Sequence, residues 1–158
     1  MRAYFFGNMY LSSIQQGIQA LHVTSEMSIK YSPGLPEASD YEEWAYTHKT
    51  VILLSGGMAS DLRNLTRMFD VPANTFCWSY FCEEQNALEG SITSVGIILP
   101  ERIYAGATAM REYQISAADL GLINGTMVVL LDGVQATQSY TRFEAMLMET
   151  MNSCRLAS

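Results

Sequence analysis

The sequence predicts an α/β layer built on a parallel or mixed sheet. Three observations carry this. Four short runs rich in β-branched and aromatic residues, at 2–6, 50–55, 76–82 and 91–99, read as strands. Segments with helical spacing lie between them, most clearly Met58, Leu62, Leu65 and Phe69 at i, i+4, i+7 and i+11. Strands that alternate with helices in this way pack as layers around one core.

Taken in order, "RAYFF" at 2–6 is a short aromatic strand followed by Gly7. Ser12 or Ser13 can cap the next helix, and Gln15 or Gln16 three residues on completes a capping box. Ile14, Ile18 and Leu21 are expected to form its apolar stripe, flanked by Gly17 and Ala20. Gln15, Gln19, His22 and Glu26 then share a polar face, which is either the wet side of the helix or the wall of a site. "YSPGLPEASD" at 31–40, with two prolines and a glycine, reads as a loop. "YEEWAYTH" forms a helical turn into the strand "TVILLS", and "GG" at 56–57 turns the chain into the Met58–Phe69 helix, which Pro72 ends. "FCWSYFC" is the third strand, "EEQNALEG" a polar connection, and "SITSVGIIL" the fourth strand, stopped by Pro100. "ERIYAGATAMREY" is a helix. "TMVVLLDG" at 126–133 is a fifth strand or the buried part of a helix, and a Met-rich helix over about 140–156 closes the chain.

At 158 residues the chain is expected to form one domain, burying about two thirds of its unfolded surface. Hydrophobic content of 49% with 16% charged residues is ordinary globular composition. The net charge of -7 opposes approach to a phosphate backbone, so no duplex nucleic acid is expected as partner. Cys77, Cys82 and Cys154 are odd in number and lack metal spacing, which points to reduced thiols. No apolar run approaches the roughly 20 residues of a membrane span, so a cytoplasmic protein without membrane contact is expected.

Few motifs carry chemistry. There is no P-loop, GxGxxG or GxSxG. "SGGMAS" can present backbone N–H groups to an anion, although its glycine spacing fits no phosphate fingerprint. The two histidines each open an H-x-T triplet, His22-Val23-Thr24 and His48-Lys49-Thr50. That pairing resembles the signature of two-histidine phosphoesterases, in which one imidazole acts as base and the other as acid. The family carries both triplets on strands, whereas the first triplet here falls in a predicted helix. Glu83 and Glu84, at the end of the third strand, can act as acid and base or solvate a turn. Thr93 alternates with Ile92 on the fourth strand and can face a ligand.

Three segments together resemble the peptidyl-tRNA hydrolase 2 family. "QALH" at 19–22 is similar to its Q-x-x-H on the first helix, "KTVILLSGGMASDLRNL" to its second strand and following helix, and "EGSITSVGIILP" to its P-G-[ST]-x-T strand. "MRAYFFGNMYLSSIQQGIQALH" is also similar to a set of phage proteins of this fold. The resemblance implies a three-layer α/β/α sandwich with a mixed four-stranded, or five-stranded, sheet. It implies a cleft beside the first helix into which Gln15, Gln19 and His22 look. Two features depart from the family: Gln15 stands where it has a catalytic lysine, and its D-A-G-x-T motif is replaced by "FCEEQNALEGSIT".

The resulting expectation is a phage anti-defence protein that binds, and cleaves, a small signalling nucleotide such as a cyclic dinucleotide or an ADP-ribose derivative. His22 and His48 would be the acid and base, with Gln15, Gln19, Thr24, Thr50, Glu83, Glu84 and Thr93 binding the ligand. No metal or cofactor is called for. The alternatives are a peptidyl-tRNA hydrolase, a non-catalytic nucleotide sponge, and a protein-interaction module. In the last, Met146, Met148 and Met151 would supply an adaptable homodimer surface on the C-terminal helix.

Overall fold

The computed structural model describes residues 1–34, 38–120 and 124–157. Residues 35–37, in the expected loop at 31–40, lie outside the described residues. The chain divides into two compact units, Met1–Leu99 with Arg155–Ser158, and Pro100–Cys154.

The first unit holds β1 (Arg2–Gly7), α1 (Ser13–Lys30), α2 (Ser39–Glu43), a π-helical turn (Trp44–His48), β2 (Val51–Ser55), α3 (Ala59–Phe69), β3 (Trp78–Cys82), α4 (Gln85–Leu88) and β4 (Ile92–Leu99). The four strands form one mixed sheet in the order β2-β1-β4-β3. β1 and β2 run parallel, and β4 is antiparallel to both β1 and β3. Every residue of β4 is buried, as its continuous apolar run requires of a strand covered on both faces.

Alternation along β1 sets the layers. Phe5 lies beside Gly96 and Val23 of α1, whereas Phe6 meets Phe69 of α3 with ring centroids 6.1 Å apart. Consecutive strand residues point to opposite faces, so α1 and α3 cover opposite sides of the sheet in an α/β/α arrangement. Gly96 makes the α1 side possible: a Cβ there would stand 2.7 Å from the Phe5 ring and 2.9 Å from Val23. Main-chain pairing of Ser55 and Leu53 with Arg155 and Ala157 seats the C-terminal segment on the β2 edge.

The capping box of α1 forms as the sequence predicts, with Ser12 as N-cap and Gln15 reaching back to it. Its orientation does not follow the prediction. Ile14, Ile18 and Leu21 face outward, 77%, 48% and 68% exposed, while Gln16, Gln19, Ala20, Val23 and Met27 are buried. The helix carries two competing stripes. The one through Ala20, Val23, Met27 and Tyr31 continues for three turns and matches the surface of Ala3, Phe5 and Ile98 in one core cluster. The Ile14 stripe is interrupted by Ser25 before Ile29.

The second unit holds α5 (Glu101–Glu112), β5 (Asn124–Leu131), β6 (Val134–Thr141) and α6 (Arg142–Ser153). The stretch at 126–131 is therefore strand, with 132–133 as a turn, but among the described residues it pairs only with β6 in a separate two-stranded sheet, so the main sheet has four strands, not five. Asp132 and Gly133 both take positive φ, 48° and 79°, as a two-residue hairpin turn demands. Met148 and Met151 are buried in this unit's core and only Met146, at 44% exposure, reaches the surface. The Met-rich end is thus mostly core filling, which removes most of the adaptable surface expected of it. Among the described residues no helix is long and apolar enough to cross a membrane.

The cysteines differ in environment. Burial, with the Asp40 carboxylate adding to it, pushes the Cys77 thiol up to about 11. Cys77 is 3% exposed, whereas Cys82 is at the surface. A maleimide at pH 8 is expected to label Cys82 in the native protein and Cys77 only after unfolding, as peptide mapping would show. Because the folded state holds Cys77 protonated while the unfolded thiol ionises near 9, this contribution to stability is full below pH 9 and is lost as pH rises toward 11.

Candidate functional site

Three of the sequence-predicted residues meet at the end of the sheet where β1 finishes and β4 begins. Gln19 donates from Nε2 to Glu83 Oε1 at 2.8 Å, and Thr93 donates from Oγ1 to Gln19 Oε1 at 2.9 Å. Gln19 is 8% and Thr93 1% exposed, so the amide is held at both ends in a largely dry setting. A local irregularity makes this contact. Phe81 pairs with Ser94 but Cys82 pairs with Ile92, which leaves Thr93 as the extra residue of a β-bulge. A bulge puts two successive side chains on nearly the same face. Thr93 thereby joins Ser94 on the α1 side instead of alternating away from it.

Thr93 also lines a cavity of about 530 Å³ with Asn8, Tyr10, Leu11, Ala87, Leu88, Glu89 and Ser91. Asn8 is fixed by its backbone N–H to Thr93 O at 3.0 Å, and its Oδ1 accepts from Tyr10 N at 3.1 Å. Next to this end, Gln16 donates from Nε2 to Leu11 O at 2.9 Å and presses on Gly7, where any Cβ would collide with it. Gln16 Oε1 and Ser94 Oγ are buried with no hydrogen-bond partner among the described residues. Gly7 pairs directly with Ser94, so both oxygens lie at the same level of the sheet as the Gln19 network.

His22 is exposed and its ring stacks on Phe81 at 4.4 Å and 15°, on the outer flank of Gln19 and Glu83. His48 is elsewhere. It contacts Glu43 Oε1 at 3.0 Å just before β2. β2 and β3 are opposite edges of the sheet, and the two histidines mark opposite strand ends. They are separated by about 14 Å across three strand spacings and about 13 Å along the strands. The paired-histidine site is therefore not assembled, and the sheet order is the reason.

The threonines of both H-x-T triplets serve local backbone. Thr24 Oγ1 donates to Ala20 O within α1, and Thr50 Oγ1 to His48 O. Gln15 is used in the α1 capping box and Glu84 is exposed at the N-cap of α4, so neither joins the Gln19 network. At the "SGG" turn, Gly56 N–H donates to Gly7 O and Met58 N–H to the Asp61 carboxylate at 2.8 Å, so these two donors are already used within the chain.

Sequence reasoning did not find Asn8, Tyr10, Glu89 or Ser91. Only Asn8 carried a usable signal, a polar residue immediately after a strand–glycine end. The others gain their place from the return of β4 beside β1. No family model matches the chain, and no curated protein matches it.

Proposed function

We propose that the first unit binds a small nucleotide in the cavity at this end of the sheet, sequestering it as a signalling ligand. The observation that carries the reading is the cavity's polar lining of Asn8, Ser91 and Thr93, with Thr93 hydrogen-bonded to Gln19 and Gln19 in turn to Glu83. Such a set reads hydrogen-bond donors and acceptors on one ligand edge. The acidic group in the lining, Glu89, suits ribose hydroxyls or an exocyclic amine, and leaves the phosphates directed to solvent. Tyr10, 75% exposed at the cavity, offers a ring face for a base. The volume suits a ligand of nucleotide size. Neutralising a host-defence signal is the setting that the resemblance to phage proteins suggests. With the histidines apart, binding is favoured over two-histidine cleavage.

The test is mass spectrometry after incubation with a panel of cyclic dinucleotides and ADP-ribose derivatives, with and without Mg²⁺, followed by a denaturation step. Intact ligand released only on denaturation is the expected result. Thr93→Val is expected to weaken binding about 10-fold, the equivalent of one hydrogen bond to a buried group, and His48→Ala to leave it unchanged. A linearised product would replace sequestration by catalysis. No binding of any member would end the nucleotide reading.

One observation favours a second reading. The Q-x-x-H and GSIT segments that resemble peptidyl-tRNA hydrolase 2 meet directly through Gln19 and Thr93. Hydrolysis of a peptidyl-tRNA would require tRNA binding that weakens steeply with salt. Absence of any tRNA retention at 50 mM salt would remove it.

A further inference from the structure

We propose that the outer face of α1 is the contact of a symmetric homodimer in which two copies of the helix cross antiparallel about a point between Gly17 and Ile18. The face is the one the fold leaves outward. Ile14, Ile18, Leu21 and Ile29 are 77%, 48%, 68% and 72% exposed, diametrically opposite the buried stripe. A helix that is apolar toward solvent and keeps Gln16 and Gln19 inward needs a cover for its outer side.

Gly17 identifies the cover as a second copy. Glycine inside a helix is destabilising relative to alanine, and a Cβ at Gly17 would meet nothing within 4 Å among the described residues. No packing among the described residues explains it. In an antiparallel crossing about this point, Ile18 of each copy seats over the partner subunit's Gly17, and Ile14 meets the partner subunit's Leu21. The same patch thus complements itself, as a two-fold interface requires. Residues 13–25 carry no acidic or basic side chain apart from His22, so two chains of net charge -7 can approach here without direct repulsion.

The area is sufficient. Met9, 53% exposed, precedes the start of the helix. At roughly 200 Å² for a fully exposed large side chain, the five residues offer on the order of 640 Å² of apolar surface, within the range of about 600–1,000 Å² per partner over which standard interfaces fall. A standard interface takes about 800 Å² per partner.

The experiment is light scattering on the full chain during size exclusion at tens of micromolar. The expected mass is twice the 17.6 kDa of one chain. Ile18→Asp and Leu21→Asp, both at exposed positions, are each expected to give folded monomers by circular dichroism, with dissociation constants raised at least about 100-fold. Tyr46→Asp, an exposed aromatic on the π-helical turn, should remain dimeric. Ile14→Cys with Leu21→Cys, in a Cys82→Ser, Cys154→Ser background, should cross-link between chains on oxidation. A monomeric wild type, a dimer unaffected by both aspartates, or no cross-link from the cysteine pair would each overturn the proposal.

Discussion

Phe5→Ala is expected to destabilise the first unit by about 3–5 kcal/mol, the range for emptying a large aromatic site in a core. Phe5 is 1% exposed on β1, a central strand, and its ring fills the space that Gly96 vacates beside Val23. No neighbour is placed to move into the gap, because the strands on both sides are paired and α1 is fixed by its cap. Urea unfolding followed by tryptophan fluorescence would measure the loss. Trp44 and Trp78 both belong to this unit, so the signal reports it directly. A midpoint within error of wild type would mean that α1 does not seat on this face of the sheet. Such a result would undermine the site as well, since the same seating brings Gln19 to Thr93.

The second unit has its own sensitive point. Glu144→Ala is expected to cost about 3 kcal/mol, the lower end for removing one member of a buried charge pair, since the Arg102 side chain remains one-third exposed. Glu144 does two things. One carboxylate oxygen meets Arg102, and the other accepts the Thr141 N–H at 2.9 Å while Thr141 Oγ1 accepts from Glu144 N–H. The residue therefore closes the capping box of α6 and ties that helix to α5. Glu144→Gln keeps an acceptor for the cap and removes the charge, so its loss should be smaller. Hydrogen exchange of the α6 amides separates the two effects. Faster exchange confined to the first turn in Glu144→Ala and absent from Glu144→Gln would show that capping, and not the ion pair, carries the energy.

The strands and helices of the first unit were legible in the sequence because each rests on local signals. The capping box at Ser12 and Gln15, the run "SITSVGIIL" and the Met58–Phe69 periodicity each need only neighbours within a few turns. Residues 134–141 were overlooked as a strand although Asp132-Gly133 between alternating residues is a hairpin signal. The candidate site was legible in part. Gln19, Glu83 and Thr93 were among the residues singled out, but what joins them is a bulge, which no short motif announces.

The sequence by itself determined the order of elements, the α/β class, the capped first helix and the absence of any long apolar span. Those features follow from composition, period and end chemistry along one stretch of chain. Only the tertiary structure decided which stripe of α1 turns inward, because two stripes of similar apolarity compete and the shape around Phe5 and Gly96 selects one. It also decided that His22 and His48 stand apart while Gln19 and Thr93 meet. Those relations depend on strand order and register, which are settled by pairing between segments more than 70 residues apart.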